Sequence, residues 1–125
     1  MASHEVMPEE RRLLEDVLDA EGRFDAARVA ALLDWKVEEI AQYLERDPST
    51  VSKYPTSVRH QDRLAALVGM FQALVTSFGN RRLVRGWFRL PLGALDGASP
   101  KAVILRGELP RVSDLIAEWD AGFAA

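Results

Sequence analysis

Apolar positions recur along this chain at helical spacing, in short runs separated by Gly, Pro, Asp, Asn and Ser. Pro8 suits a first helical turn, with Glu9 and Glu10 favourable at its positive end. Leu13, Leu14, Val17 and Leu18 then form one stripe, and Gly22 is the expected stop. Asp25 is a cap for a second helix with Val29, Leu32 and Leu33 inward. A third begins near Val37, with Ile40, Ala41 and Leu44 inward. Asp47-Pro48 reads as a cap followed by a first-turn proline, opening a short fourth helix through Val51 and Tyr54 that Pro55 ends.

The fifth helix is the clearest: Leu64, Leu67, Val68, Phe71, Leu74, Val75 and Phe78 fall on one side, with Gly79 as its stop. Its other side carries Ala65, Ala66, Met70 and Ala73 and no charge, so the helix is expected to be covered on more than one side. It is either the central helix of the monomer or part of a subunit interface. Asn80 caps a sixth helix through Trp87 and Phe88. The leucines of the Leu90–Gly97 loop are expected to tuck against the core. Ser99-Pro100 starts a short helix through Leu105 that Gly107 ends, and a last helix after Pro110 places Val112, Leu115, Ile116 and Trp119 on one face. No segment alternates with period two, so no strand is predicted. The expectation is an all-α fold, a small helical bundle with an N-terminal helix plus helix-turn-helix subdomain over residues 1–58 and a C-terminal helical subdomain over residues 59–125.

Residues 37–54 carry the helix-turn-helix reading. Such a unit needs a small residue where two helices cross and apolar residues on both inner faces. Ala41 is the small residue, Ile40 and Leu44 flank it, and Val51 is the inward residue of the second helix. The candidate DNA-binding residues are Arg46, Ser49, Thr50, Ser52, Lys53 and Tyr54: hydroxyls and cations suited to phosphates and base edges. Two positions depart from the usual unit. Glu45 stands where glycine is common, and Arg46 stands where a small apolar residue is usual. Glu38, Glu39, Glu45 and Asp47 also place negative charge around the unit, which opposes DNA. A plain helical hairpin that dimerises or supports the second half has the same pattern.

Charge sharpens the division of the chain. Residues 1–35 hold four arginines against nine acids, a net −5, and residues 36–63 balance. Residues 64–80 hold no charge, residues 81–111 net +5, and residues 112–125 net −3. The chain as a whole is not a nonspecific nucleic-acid binder, but it offers a basic stretch followed by an acidic end. With 48% hydrophobic and 28% charged residues the composition is that of a folded soluble domain. There is no cysteine, which excludes disulfides and thiolate metal sites and suits a cytoplasmic location. The start Met1-Ala2-Ser3-His4-Glu5 has no signal-peptide pattern, and Leu64–Asn80 is too short and too polar to span a membrane.

Nothing in the sequence suggests catalysis or a cofactor. His4 and His60 have no second ligand at metal-binding spacing, and there is no Gly-rich phosphate loop. Ser99 precedes proline and reads as a cap, and the adjacent pairs Glu9-Glu10 and Glu38-Glu39 diverge on a helix. The expectation is a protein that binds and does not catalyse.

The second half carries a resemblance. A long apolar helix ends Phe78-Gly79-Asn80, and Val84-Arg85-Gly86-Trp87-Phe88 follows it. Then come the loop Leu90-Pro91-Leu92-Gly93-Ala94-Leu95-Asp96-Gly97, the start Ser99-Pro100-Lys101, and a last amphipathic helix with a Gly122-containing tail. In order and spacing this resembles the toxin-binding domain of the Xre/MbcA/ParS antitoxin family, with Phe88 in place of the usual leucine. With the helix-turn-helix it covers about residues 24–125. The resemblance implies a type II antitoxin whose C-terminal subdomain occludes the active site of a RES-domain, NAD-degrading toxin. It implies a homodimer or a larger hetero-oligomer with the toxin, and operator DNA as a further partner in autoregulation. The expected toxin-binding residues are Trp119, Asp120, Gly122, Phe123, Ala124 and Ala125, with Arg111. Phe123 is a large apolar residue in a short tail, suited to an intermolecular contact or else a frayed end. Trp119 either packs on its helix face or meets the partner, and the acidic tail complements a cationic pocket built for NAD phosphates. The arginines 81, 82, 85 and 89 form either a solvated face or one directed at DNA or a toxin. The alternative function is a stand-alone helix-turn-helix transcriptional regulator.

Overall fold

The structure, a computed structural model, describes the backbone of residues 8–124 and the side chains of residues 12–119. Among these the chain forms eight α-helices: α1 (Pro8–Val17), α2 (Ala26–Leu33), α3 (Val37–Leu44), α4 (Pro48–Lys53), α5 (Gln61–Phe78), α6 (Arg81–Trp87), α7 (Pro100–Leu105) and α8 (Leu109–Ala124). Single 3₁₀ turns occupy Val58–His60 and Gly93–Leu95. Among the described residues there is no strand, and an isolated antiparallel bridge pairs Leu18 with Phe24. No helix of the described residues is long and apolar enough to cross a membrane. The all-helical expectation therefore holds.

The helix starts follow from local chemistry. Asp25 accepts from the backbone N–H of Ala27 and Arg28, Asp47 from Ser49, Asn80 from Leu83 and Ser99 from Ala102. Each side-chain oxygen satisfies donors that a helix start leaves unpaired. Pro48 and Pro100 occupy the first turn, where a missing N–H does no harm. At the other end, α2 and α3 both close with a residue in left-handed backbone, Asp34 at φ 60° and Glu45 at φ 56°. The next amide then reaches back five residues, Trp35 to the Ala30 carbonyl and Arg46 to that of Ala41. One boundary differs from the sequence reading. α1 ends at Val17, and Gly22, at φ 78°, belongs to a separate turn that the Asp19 carboxylate ties by accepting from the amides of Glu21 and Arg23.

The chain divides into two compact units, Met1–Gln72 and Ala73–Ala125, so that the division falls inside α5. In the first unit Leu13, Val17, Val29, Leu33, Ile40, Ala41, Val51, Leu64, Leu67 and Phe71 are buried. Three polar fasteners join its elements. The Gln61 side chain accepts from the Phe24 amide at 2.7 Å and donates to the Phe24 carbonyl at 2.9 Å. The Tyr43 hydroxyl donates to the Arg63 carbonyl at 2.7 Å, and the Arg63 guanidinium donates to the Tyr43 carbonyl at 2.9 Å. Arg63 also pairs with Glu45. Burial pushes the Tyr43 hydroxyl up to about 12, so it stays a donor throughout the physiological range. Trp35, in the loop between α2 and α3, is buried too, outside the periodicity of either helix.

In the second unit Leu74, Val84, Phe88, Leu95, Val103, Ile104 and Val112 are buried. The loop after α6 folds back on itself through Leu92 to Ala98 and Gly97 to Leu92 backbone bonds, and the Lys101 amide donates to the Phe88 carbonyl. Its leucines do not behave alike. Leu95 is buried and Leu92 half-buried, whereas Leu90 is exposed, contrary to the expectation that all would tuck inward. Leu90 follows the turn that closes α6 and faces outward, while Leu95 ends a 3₁₀ turn that points it in.

Along α5, Leu64, Leu67, Val68, Met70, Phe71, Leu74 and Val75 are buried, and Ala65, Ala66, Gly69, Ala73, Thr76 and Ser77 are exposed. Cover on more than one side was expected. The chain itself covers one side and leaves open a side made of small, uncharged residues.

Candidate functional site

The candidate DNA-facing residues all lie in the first unit. α4 is only 6 residues long, too short to persist by itself, and Val51 anchors it by burying its side chain. That anchor leaves Ser49, Thr50, Ser52 and Lys53 exposed, and Arg46 and Tyr54 at either end of the helix are exposed as well. All six sequence-predicted residues are therefore accessible. They are not equivalent. The Ser49 hydroxyl donates to the Asp47 carboxylate, which also accepts the Ser49 amide, so Ser49 is committed to the cap. These bonds hold the Asp47 carboxyl below its usual range, and Asp47 stays an anion beside the helix. The Lys53 ammonium lies 5.5 Å from the centre of the Tyr54 ring. Thr50, Ser52 and Lys53 remain as the groups directed outward.

Glu45, an unfavourable residue by sequence, has a structural role. Its left-handed backbone closes α3 where glycine would serve more easily, and its carboxylate meets Arg63. The pair offsets one negative charge of the α3–α4 turn. The following stretch adds Val58, 79% exposed, and exposed Arg59, neither of which the helical periodicity singled out.

Beneath this surface lies His60. Its side chain is buried, and neither ring nitrogen has a hydrogen-bond partner among the described residues. Burial lowers its pKa, the charge of Arg46 lowers it further, and the Tyr54 backbone opposes both. A neutral imidazole is the form this site accepts. The polar surroundings of His60 in sequence gave no sign of that burial. The described residues contain no group of His, Asp and Glu able to hold a metal.

The candidate toxin-facing residues lie in the second unit, and the structure describes only part of them. The side chains of Asp120, Phe123, Ala124 and Ala125, and the surroundings of Gly122, lie outside the described residues. Trp119 is half-buried and packs edge-on against Trp87, with ring centres 5.5 Å apart. Trp87 also meets Phe78 at 6.0 Å and Phe88 at 5.5 Å, both edge-to-face. Trp119 is thus part of an aromatic cluster that joins α8 to α6. Arg111 is held within the unit, pairing with Asp96 at 2.6 Å and lying 3.8 Å from Glu108. Its guanidinium braces the loop after α6 through these surface pairs and stays partly exposed.

The structure brings forward surface residues that the sequence reading had not selected. Leu83 is 54% and Leu90 53% exposed, unusual for large aliphatic side chains on so small a unit. The available signal was the run of arginines at 81, 82, 85 and 89, which marked α6 as a surface helix without revealing its apolar edge. Compared with family models, with curated proteins and with solved structures, the chain matches none.

Proposed function

We propose that this chain is a cytoplasmic antitoxin of a type II pair, which binds a RES-domain, NAD-degrading toxin through its C-terminal subdomain, residues 59–125, and occludes its active site. The observation that carries the proposal is the employment of the resembling residues. Phe78, Trp87 and Phe88 build the aromatic cluster, Asn80 and Ser99 cap helices, and the Leu90–Gly97 loop forms the turn between them. Residues that carry the family pattern are those that frame the unit. Such correspondence is expected if the likeness reflects a shared fold and not chance composition.

A second role rests on the α3–α4 pair. Its outward groups, Thr50, Ser52, Lys53 and Tyr54 with Arg46 and Arg59, suit contact with phosphates and base edges. We assign this face to operator DNA in autoregulation. The same observation supports the alternative of a stand-alone regulator.

Co-expression with the RES-domain product of a neighbouring gene, followed by an NAD-consumption assay, tests the proposal. A stable complex that stops NAD loss is expected, and deleting residues 119–125 should restore NAD consumption. If no complex forms while the isolated protein binds a specific operator tightly, the regulator reading replaces it.

A further inference from the structure

His60 is 2% exposed, and neither of its ring nitrogens has a hydrogen-bond partner among the described residues. A hydrocarbon ring would fill the same space without stranding two nitrogens, so packing alone does not explain an imidazole there.

Its place in the chain suggests what it does. From Pro48 to His60 two side chains are buried, Val51 in α4 and His60 at the end of the turn that follows. α4 has 6 residues and does not persist by itself, so its outward groups keep their places only while both anchors are seated. The backbone transmits the second anchor to the first. The His60 amide donates to the Ser57 carbonyl, the Ser57 amide to the Tyr54 carbonyl, and the Tyr54 amide to the Thr50 carbonyl within α4. The same segment is held from outside by the Ala26 amide on the Pro55 carbonyl and by the Gln61 side chain on the Ser57 carbonyl.

The surrounding charges decide what acid does to this anchor. Arg46, from the α3–α4 turn, acts on the ring with the same sign as an imidazolium, and no carboxylate opposes it. Glu45 is paired with Arg63 of α5, Asp47 is bonded to Ser49, and Asp25 of the α2 start caps its own helix beside Arg28. The Tyr43 hydroxyl is engaged with the Arg63 carbonyl. Lys53, Tyr54, Arg59 and Asp62 are exposed. The Tyr54 backbone favours the charged ring, but it is the weakest of the three influences on it. An imidazolium formed here has no counter-charge, so the ring reaches water before it holds a proton.

We propose that His60 is a proton-gated anchor of the α4 face: neutral, it holds residues 50–59 in position for DNA, and protonated, it frees the 54–60 segment and DNA is released. The inference rests on the DNA-facing reading of α4 and adds its regulation. The seated segment excludes the proton and DNA selects the seated segment, so binding releases protons and affinity falls as pH falls. The opposite sign has a different origin, phosphates drawing a proton onto the ring, and would raise affinity in acid.

The test uses the full-length protein, whose two histidines are His4 and His60, and a duplex covering the DNA ahead of its own gene. Ring titration by NMR, with His4→Gln to assign His60, gives the midpoint of the ring. Binding isotherms from about pH 7.5 to about pH 5 give that of DNA affinity. The two midpoints should coincide, and the amides of residues 52–59 should shift with them. Affinity should fall below the midpoint by up to about tenfold per pH unit. Calorimetry in two buffers of different ionisation heat should show proton release on binding. His60→Phe should bind within about twofold of wild type at the neutral end and lose the decline. Asp47 does not blur this window, because its cap bonds keep it an anion.

Different midpoints, proton uptake on binding, or a decline that survives in His60→Phe would each overturn the gate and leave the DNA reading intact. Should His60→Phe not fold, the two wild-type midpoints decide alone. If neither this duplex nor any selected from a random pool is bound at the neutral end, the DNA reading falls and the gate with it.

Discussion

α4 and α6 are both short helices, of 6 and 7 residues, each started by a side-chain cap and anchored by one buried valine, Val51 or Val84. Their outer faces differ. The α4 face is polar: Ser49 is tied to Asp47, Lys53 rests near Tyr54, and hydroxyls meet water without loss. The α6 face and the turn after it leave Leu83 and Leu90 more than half exposed. Burying a leucine contributes about 1.5–3 kcal/mol, so a sizeable part of that gain is left unrealised at α6. A face that solvent already satisfies gives no physical reason to need a partner. A face that leaves apolar surface in water does. On that ground the second unit is the stronger candidate for obligate partner binding, and α4 for reversible, salt-sensitive contact.

The largest expected effect attacks the support beneath the α6 face. Trp87→Ala removes edge contacts with Phe78, Phe88 and Trp119 and should destabilise the second unit by about 3–5 kcal/mol in denaturant unfolding. A loss below about 1 kcal/mol would mean that the cluster is not the frame of that unit.

The next separates the two units by pH. His60 protonates near pH 6.5 in the unfolded chain and at lower pH in the folded one. The unfolded chain therefore takes up the proton first. Stability is complete above the unfolded value and falls as pH drops through the folded one, by at most about 1.4 kcal/mol per pH unit. His60→Phe should flatten this slope. Hydrogen exchange at acid pH should rise first around α4 and residues 58–60, and equal acceleration at α6 would contradict a local origin.

Smaller effects test the caps and the glycine. Ser99→Ala should cost about 1 kcal/mol, measured by thermal unfolding, because the Ala102 amide loses its acceptor. Gly86→Ala should do the reverse and stabilise the free protein by about 0.5–1 kcal/mol. A destabilised Gly86→Ala would show that the glycine serves the fold itself. Smallest of all, Lys53→Ala should change stability by no more than about 0.5 kcal/mol. In operator binding it should weaken affinity for all sequences alike and lower the salt slope by about one. If operator affinity is unchanged, α4 is not the DNA-facing helix.

Much of this molecule was legible before folding was considered. Asp25, Asp47, Asn80 and Ser99 announce helix starts because a cap is satisfied by amides two or three residues away. The inward stripes of α3, α5 and α8 are legible because helical geometry alone decides which residues share a face. The exposure of the six α4-region residues was legible for the same reason: once Val51 is inward, its neighbours are outward.

What the sequence left open depends on contacts between residues far apart along the chain. Gln61 grips Phe24, 37 residues away, and Tyr43 and Arg63 clasp each other over 20. His60 sits in a polar stretch yet is buried, because its 3₁₀ turn directs the ring inward. Leu90 and Leu95 share one loop and one residue type, and only the path of the backbone sends one into water and the other into the core. The apolar edge of α6 has the same origin. Periodicity can mark Leu83, Gly86 and Trp87 as neighbours, but whether anything covers them is settled only when the rest of the chain has packed. Local bonds repeat with the sequence that makes them, so helix starts and faces can be read from it. Burial is a property of the whole packed chain, so it had to be seen in the tertiary structure.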